Sequence, residues 1–495
     1  MFKGAVNVQL LKRPKTAIYD VSGSRIPHCC PLEARRRMGS VHLVEQHQQA
    51  LAFLTQSWGT RASVSLYLDR CQVDTPHEVV EEVWKQIGLR RKRVEKAVDF
   101  GAGDGRFACG DLYGTYVGIE IDRARCAEAV LPANARLINE CAFSVDIHDA
   151  DVCLGNPPYV RNQDLPGGWR ERAAGVIAKR TGVQLSGLAN AWQYFFLLAL
   201  TSTTVDGMVA LVIPYEWVSR PSAKAIRKFI TDQKWRVTVL RLIDTTFHRV
   251  LTTSSITIID KVHKDGVWSY FEQKPDGTFR RLISPSGGKS GVLSYAKGTI
   301  SAKRKVCAKR GLSPGTQKVF TLTEGERVRL DLSIGRDVVP CVTTLKPLAD
   351  ERTLNERVFN KLYRDAGHKC WLIKPSGKQS HRLKAYLEEI PDESIATSTC
   401  KARDNWWEFV MPDVPDVLVA SGFRGKAPKS VANTVGARAV GGVCGIYGVA
   451  QRSRAKVVTY LRSLDLSGCI VPHSKGLKKL EINQLNTLLD RFEGR

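Results

Sequence analysis

The tetrapeptide Asn156-Pro157-Pro158-Tyr159 is the most specific chemical signal in the sequence. It follows the run Asp151–Leu154, which predicts a buried strand. Because prolines cannot donate to a sheet ladder, the tetrapeptide must leave this strand as a rigid loop. The amide oxygen of Asn156 and the main-chain carbonyl of Pro157 could then accept both hydrogens of one exocyclic amino group. This arrangement would free the nitrogen lone pair to attack an electrophile.

A glycine-rich motif lies upstream, where Gly101, Gly103 and Gly105 alternate with other residues after the acidic strand end at Asp99. Glycine permits sharp turns and close approach to a ligand, and the helix predicted to follow would offer free amide groups. The next predicted strand ends at Glu120, whose carboxylate could accept both ribose hydroxyls of a nucleoside cofactor. Dinucleotide-binding and S-adenosylmethionine-binding folds share this pattern. The G-x-G-x-G spacing favours S-adenosylmethionine over the dinucleotide fingerprint.

Alternating strands and helices must position these motifs. The predicted strands are 97–100, 116–121, 135–139, 151–154, 208–213, 237–243 and 255–260. Helical stretches, including 192–202 and 223–232, lie between them. This alternation predicts an α/β fold with a mostly parallel sheet covered by helices on both faces. The carboxyl ends of parallel strands meet at one edge, so both motifs should face the same crevice.

Charge divides the chain into a near-neutral and a basic part. The net charge is +25, and residues 261–495 contain 41 basic and 23 acidic side chains. We therefore expect a basic N-terminal extension at 1–70, with one helix near 44–54, a catalytic domain at 71–261, and a basic region at 262–495. An excess of this size indicates a polyanion-binding module joined to a chemical one.

Composition excludes several classes of protein. The hydrophobic content of 43% and the charged content of 25% rule out a wholly disordered, collagen-like or coiled-coil chain. The 13 cysteines form no C-x2-C pair, so we expect neither a metal site nor a disulfide framework, and a reducing cytoplasmic location. No apolar run approaches the roughly 18 residues of a membrane span, and the N-terminus has no secretion-signal pattern.

Taken together, the motifs resemble those of the N6-adenine DNA methyltransferases of restriction–modification systems, in the gamma motif order, over about residues 70–260. The resemblance implies a Rossmann-like S-adenosylmethionine-dependent methyltransferase domain, followed by a C-terminal mixed α+β target-recognition domain. It also implies double-stranded DNA as the partner. The target base must leave the duplex for methylation, because its amino group cannot be reached inside the stack.

The resemblance also implies the cofactor site. Its residues would be Thr75, Pro76, Asp99, Gly101, Gly103, Gly105, Glu120, Ile121, Glu140 and Asn156. Thr75 and Pro76 match the motif that touches the methionine end of the cofactor. Ile121 would contact the adenine, and Glu140 stands near its amino group where the family usually has Asp. The chain also departs from the family at Phe100–Gly103, where Pro-Ala-Cys-Gly is more common.

For the target base, the resemblance implies Asn156, Pro157 and Tyr159 as catalytic residues. Tyr159 and Phe247 would stack on the two faces of the flipped ring, although an isolated Phe is more often buried in a core. Direct methyl transfer needs no covalent enzyme intermediate, so we assign no cysteine a catalytic role. Ala191–Phe195 matches the family's Tyr-x-x-Phe helix, with Trp192 in the place of Tyr.

Three alternatives remain from the sequence. The NPPY motif also occurs in enzymes that methylate cytosine N4, RNA bases or glutamine, although the glutamine enzymes are much shorter. A degenerate, inactive DNA-binding relative is the second alternative, and intact Asn156 and Glu120 argue against it. The third is a fused restriction enzyme. Because only about 70 residues precede the predicted core, we expect any cognate restriction endonuclease to be a separate chain.

Overall fold

The computed structural model describes residues 73–109, 112–247, 252–289, 292–293, 305–375, 377, 379–474 and 476–493. The predicted N-terminal extension, 1–70, and its predicted helix at 44–54 lie outside the described residues. Within the described ranges, no helix is both long and apolar enough to cross a bilayer.

A nine-stranded sheet forms the first part of the described chain, in the order β3-β2-β1-β4-β5-β7-β6-β8-β9. Its strands are β1 (Val94–Phe100), β2 (Tyr113–Glu120), β3 (Ala135–Asn139), β4 (Ala150–Gly155), β5 (Thr203–Pro214), β6 (Arg236–Arg241), β7 (Ser254–Asp260), β8 (Trp268–Gln273) and β9 (Phe279–Leu282). The pairs from β3 to β5 are parallel, as is the β6–β8 pair. β7 runs antiparallel between β5 and β6, and β9 is antiparallel to β8. The predicted α/β class with a mostly parallel sheet is confirmed.

All seven predicted strands are present as β1–β7, with two differences from the expectation. β3 is not buried, because it forms the edge of the sheet and pairs only with β2. The sheet also continues through β8 and β9, so the domain boundary predicted after residue 261 falls inside it. The sequence did not predict these two strands, because the segment after β7 is rich in turn residues. In addition, β8 is only half-buried and lacks a continuous apolar run.

The helices of this part are α1 (His77–Gly88), α2 (Arg123–Glu128), α3 (Gly167–Thr181), α4 (Ala191–Ser202) and α5 (Lys224–Asp232). α4 is almost wholly buried and packs on α3, β4 and β5. The side chain of Gln193 accepts from the main chain of Asn190 at 2.8 Å, which closes a capping box at its start. The buried Lys261 ammonium donates to the Leu200 and Thr203 carbonyls at 2.7 and 3.2 Å. Both ends of α4 are therefore fixed.

Three smaller sheets, ordered β10-β19-β15-β17-β13, β11-β14-β12-β18 and β16-β21-β20, form the C-terminal part. The strands are β10 (Cys307–Lys309), β11 (Thr321–Leu322), β12 (Val338–Val342), β13 (Thr353–Leu354), β14 (Trp371–Ile373), β15 (Val417–Ala420), β16 (Gly422–Phe423), β17 (Ser430–Asn433), β18 (Arg438–Ala439), β19 (Val443–Tyr447), β20 (Pro472–Ser474) and β21 (Leu477–Lys479). The helices are α6 (Gln317–Phe320), α7 (Glu324–Arg329), α8 (Glu356–Phe359), α9 (His381–Glu388), α10 (Asp392–Ile395), α11 (Ser398–Lys401), α12 (Arg454–Ser463) and α13 (Ile482–Glu493). This part has the mixed α+β content that the family resemblance implies.

Two apolar clusters hold the C-terminal part together. One surrounds Phe320, Tyr363 and Trp371, and the other brings Ile446 against Leu461 and the inner face of α13. A separate cluster lies under the nine-stranded sheet. The chain therefore has an independent core on each side of the junction that follows β9.

Candidate active site

A cleft opens at the carboxyl ends of β1, β2 and β4. It encloses about 900 Å³ of empty volume, open solvent included. The lining residues that the sequence predicts are Thr75, Gly101, Gly103, Glu120, Ile121, Glu140 and Asn156. The parallel sheet therefore brings the glycine-rich motif and the NPPY loop to one crevice, as open α/β sheets do with their ligands.

The glycine loop forms the floor of the cleft. Gly101, Gly103 and Gly105 have φ angles of 87°, 61° and 77°, a region that disfavours residues with a Cβ atom. A Cβ on Gly101 would lie 3.3 Å from Pro158 Cδ, so the loop packs directly against the NPPY segment. The helix predicted after the loop is wrong, because only a 3-10 turn, Arg106–Cys109, fits before β2 begins.

Glu120 ends β2 with its carboxylate in the cleft, and the residue is only 9% exposed. Its two oxygens accept from the main-chain N–H groups of Gly103 and Asp122, each at 2.8 Å. Burial raises the pKa of Glu120, and these two hydrogen bonds oppose the rise. A carboxylate offers about four acceptor positions. Glu120 can therefore accept two further hydroxyl donors while it holds the glycine loop.

Asn156 follows β4 at the opposite wall of the cleft. Its Nδ2 donates to the Thr75 hydroxyl at 3.1 Å, and Thr75 is itself 3% exposed. Asn156 Oδ1 is buried and has no hydrogen-bond partner among the described residues. A buried acceptor left unpaired costs about 1–3 kcal/mol, so such an atom at a ligand cleft is suited to a donor on the ligand.

Asp99 does not line the cleft, contrary to its predicted role as a cofactor contact. Its side chain is 1% exposed, and Oδ2 accepts from the Tyr116 hydroxyl at 2.9 Å. Burial raises the pKa of Asp99 to about 8. The carboxyl lies against the two neighbouring strands, next to Tyr116 of β2 and Gly155 of β4.

Three other predicted residues lie beside the cleft without lining it. Pro76 is the residue before α1, and its carbonyl accepts from Val79 N at 3.0 Å. Gly105 faces Leu131, because a Cβ there would lie 2.5 Å from Leu131 Cδ2. Pro157 is buried, and its neighbour Pro158 is the proline that lines the cleft. These three residues would affect ligand binding through the backbone conformation of their segments rather than through side-chain contacts.

The two aromatic residues predicted to stack on a base lie outside the cleft lining. Tyr159 Oη donates to the Val212 carbonyl of β5 at 2.9 Å, which holds the NPPY loop against the sheet. Phe247 is 7% exposed and belongs to the apolar cluster of Leu240 and Ile256. This is the core position that an isolated Phe usually takes. The stacking role of both residues stays a prediction.

Sequence reasoning missed a group of charged residues at the rim. Arg106 donates to the Thr75 carbonyl at 2.6 Å and forms ion pairs with Asp104 at 2.5 Å and Asp74 at 3.3 Å. Asp74 also pairs with Arg125 of α2. These contacts tie the segment before α1 to the glycine loop. Asp74 and Arg106 directly adjoin predicted residues, but nothing in the sequence shows that they meet.

An aromatic wall closes another side of the cleft and was also missed. Trp169 of α3 lies parallel to Phe195 of α4, with ring centroids 6.3 Å apart, and both line the cleft. The Phe143 ring stands nearly perpendicular to both rings, at centroid distances of 5.3 and 5.2 Å. The Tyr-x-x-Phe pattern pointed to Phe195, whereas Trp169 carries no motif.

Comparisons with known proteins match both parts of the chain. Residues 62–247 match the family described as Eco57I restriction-modification methylase, and residues 293–467 match the C-terminal domain of the Type II methyltransferase M.Eco57I. The Type II methyltransferase M.XamI of Xanthomonas campestris pv. amaranthicola is 28% identical over 175 residues, which cover 32% of this chain and 33% of M.XamI. The alignment thus spans about one third of that curated relative.

A solved structure extends the likeness to most of the fold. The Type IIL restriction-modification enzyme MmeI, determined in complex with DNA, aligns with a TM-score of 0.51 at 10% identity. The alignment covers 88% of this chain and 66% of MmeI. At this identity the likeness concerns the fold, and it includes the C-terminal part as well as the nine-stranded sheet.

Proposed function

We propose that this chain, which belongs to the restriction–modification methylases, transfers a methyl group from S-adenosylmethionine to the N6 amino group of adenine in double-stranded DNA. It would act in the cytoplasm as the modification enzyme of a restriction–modification system. Any cognate restriction endonuclease would be a partner on a separate chain.

The observation that carries this proposal is the buried, unpartnered Oδ1 atom of Asn156. Thr75 occupies the amide nitrogen of the same side chain, so the amide presents its oxygen rather than its nitrogen to a ligand. With the adjacent carbonyl of Pro157, it would accept both hydrogens of an exocyclic NH2 group. The amino nitrogen then gains nucleophilic character without a general base, through acceptors aligned in advance.

The residues of the cleft fit S-adenosylmethionine. The closely turned glycine loop lets the backbone approach a ligand, and Glu120 has acceptor capacity for two ribose hydroxyls. Ile121 and Glu140 also line the cleft, and the adenine would lie beside them. When bound, S-adenosylmethionine supplies an electrophilic methyl group on a positively charged sulfur. The chain's own contribution is to hold this group in line with the amino nitrogen beside Asn156.

DNA is the substrate that the charge distribution supports. Residues 261–495 carry most of the net charge of +25, in the part that matches the C-terminal domain of M.Eco57I. Cationic side chains that neutralise phosphates would hold the duplex, while the target base is flipped out at a cost of a few kcal/mol. Stacking on Tyr159 would recover about 1–3 kcal/mol. DNA binding should weaken steeply with salt, by about 0.9 in log–log slope for each neutralised phosphate.

The proposal is tested with the purified full chain, unmethylated plasmid DNA and radiolabelled S-adenosylmethionine. We expect label in DNA, and mass spectrometry of the digested DNA should identify N6-methyladenine. The Asn156→Ala variant should bind the cofactor and transfer no methyl group.

Other products would separate the alternatives. N4-methylcytosine would retain methyl transfer but overturn the adenine assignment, and label in RNA alone would overturn the DNA assignment. A wild-type chain that binds both DNA and cofactor without any transfer would be an inactive relative.

A further inference from the structure

One buried carboxylate joins the C-terminal part to the sheet-bearing part. Glu481 directly precedes α13 and is 9% exposed. Its Oε1 accepts from Arg220 Nη1 at 2.7 Å, and its Oε2 accepts from Arg310 Nη2 at 2.6 Å. Arg220 lies after β5, whereas Arg310 follows β10 and is 71% exposed at its side chain. Glu481 therefore connects an exposed cation of the C-terminal part to the sheet-bearing part.

Arg220 is held firmly on its own side of this junction. Its Nε donates to Glu216 at 3.2 Å, within the 3-10 turn Tyr215–Val218 that directly follows β5. Its carbonyl accepts from Arg227 Nη1 of α5 at 2.9 Å. A displacement of the Arg220 guanidinium would therefore move the turn at the carboxyl end of β5.

That strand end holds the NPPY loop. The Val212 carbonyl of β5 accepts from Tyr159 Oη at 2.9 Å, three residues after Asn156. Two residues after Val212, Pro214 pairs with Ser254 of β7. The path from Glu481 to Tyr159 thus consists of one ion pair, one short turn and one strand end.

The rest of this junction is closely packed. Tyr215 Oη donates to the Pro285 carbonyl and Ser286 Oγ donates to the Gly468 carbonyl, each at 2.5 Å. The backbones of Gly288 and Gly468 touch, since a Cβ on Gly288 would lie 2.3 Å from Gly468 Cα. Packed interfaces shift between discrete arrangements rather than deform continuously, so movement of the C-terminal part would pass to the turn after β5.

We infer that Arg220 and Glu481 are positioning residues that link DNA engagement by the C-terminal part to the placement of Tyr159 and Asn156 in the active site. The inference rests on the proposed function. The two oxygens of Glu481 accept from Arg220 and from the exposed Arg310, and Lys479 Nζ lies 3.7 Å from Oε1. A DNA phosphate can draw the Arg310 guanidinium away, because guanidinium groups bind phosphate and carboxylate oxygens with the same geometry. Arg220 would then be the closest cation to the carboxylate, at 2.7 Å against 3.7 Å for Lys479. The turn after β5 would then become more rigid.

The test uses the full chain as wild type, Arg220→Gln, Glu481→Gln and the double variant. The matched control is Glu324→Gln, whose carboxylate pairs with Arg327 wholly within the C-terminal part. Hydrogen–deuterium exchange over residues 212–220 is measured with and without unmethylated plasmid DNA. Methyl-transfer kinetics with the same DNA give kcat and KM, and titration gives cofactor affinity.

We expect DNA to slow exchange over residues 212–220 in the wild type and the control, and not in either single variant. In the single variants kcat should fall by about tenfold, as for residues coupled in one network, with cofactor affinity unchanged. The double variant should lose no more than the worse single variant, and Arg220→Lys should recover part of the rate. Thermal unfolding of each variant verifies that it is folded.

Additive losses in the double variant, or exchange that DNA leaves unchanged in the wild type, would overturn the inference. A wild type that transfers no methyl group but shows a DNA-dependent exchange response, lost in Glu481→Gln, would contradict the proposed function and leave the coupling intact. If the wild type methylates DNA and Glu481→Gln matches it in both exchange and kinetics, the proposed function stands and the coupling is contradicted.

Discussion

Gly155 lies directly against the carboxylate of Asp99: a Cβ atom on Gly155 would be 2.0 Å from Asp99 Oδ1. Its φ angle of 131° is also one that other residues rarely adopt. This contact joins the end of β4, one residue before Asn156, to the strand that leads into the glycine loop. The contact between Gly155 and Asp99 therefore fixes the NPPY segment relative to the glycine loop.

The Gly155→Ala variant should accordingly lose stability and activity together. The added methyl group must displace either the Asp99 carboxyl or the β4 strand end, and overpacking of this kind costs about 1–3 kcal/mol. Chemical denaturation measures the loss. Gly175→Ala on α3 is the matched control, since a Cβ there meets no atom within 4 Å and Ala favours a helix. Equal stability of the two variants would contradict a close contact between Gly155 and Asp99.

The second prediction concerns the pH dependence that Asp99 gives to folding. Its folded-state pKa of about 8 lies above the ordinary value of 3.8, so folding favours the protonated carboxyl. The stability that this group contributes is complete below about pH 4 and is lost as the pH rises through about 8. Asp99→Asn keeps an acceptor for Tyr116 and removes the titration. Its stability relative to wild type should rise by roughly 2–3 kcal/mol between about pH 6 and pH 8. A constant difference over that range would show that Asp99 is charged throughout.

Cofactor binding and methyl transfer should separate between Glu120 and Asn156. Glu120→Ala removes the proposed ribose acceptor and also releases the main-chain donors of Gly103 and Asp122, so cofactor affinity should fall by at least about 1–3 kcal/mol. Asn156→Ala should leave this affinity nearly unchanged while methyl transfer is lost. Calorimetric titration with S-adenosylmethionine measures the first effect and label incorporation the second. Equal affinity losses in both variants would contradict these assignments.

The two predicted stacking residues should behave differently from each other. Tyr159→Phe keeps the ring but loses the hydrogen bond to Val212, which should cost about 0.5–1.5 kcal/mol, whereas Tyr159→Ala should also lose the stacking. A fluorescent adenine analogue in the target site should brighten with wild type and with Tyr159→Phe, and less with Tyr159→Ala.

Phe247→Ala should instead destabilise the fold by about 3–5 kcal/mol, because Phe247 lies in the apolar core. Chemical denaturation measures this loss. If Phe247→Ala keeps its stability and the analogue is dimmer, Phe247 stacks on the base rather than in the core. If the analogue is equally bright with all variants, Tyr159 does not stack on the base.

Local sequence signals predicted the elements that periodicity governs. The apolar runs predicted β1–β7. The positions of Glu120 and Asn156 at strand ends predicted that both line the cleft. The sequence did not indicate that Asp99 lies outside the cleft lining, because a motif specifies the order of residues but not the face to which a strand directs a side chain. The strands β8 and β9 were missed because their burial comes from tertiary neighbours rather than from apolar composition.

Contacts between distant segments were outside the reach of sequence reasoning. Asp74 and Arg125 are 51 positions apart, and Arg220 and Glu481 are 261 apart, so only the folded chain reveals that they pair. Charged residues occur at many positions, and none of these four has a spacing that distinguishes it from a solvated surface charge.

The touching backbones of Gly288 and Gly468 also bear on how such chains can be recombined. Neither position has room for a side chain, since a Cβ on Gly468 would likewise lie 2.6 Å from Gly288 Cα. Gly288 follows the nine-stranded sheet, and Gly468 lies beyond α12 in the C-terminal part. We therefore expect a chimera that takes its C-terminal part from a relative to be most stable when each parent supplies glycine at this contact, because a side chain there would overpack it. This pair of small residues therefore restricts which C-terminal parts can be exchanged.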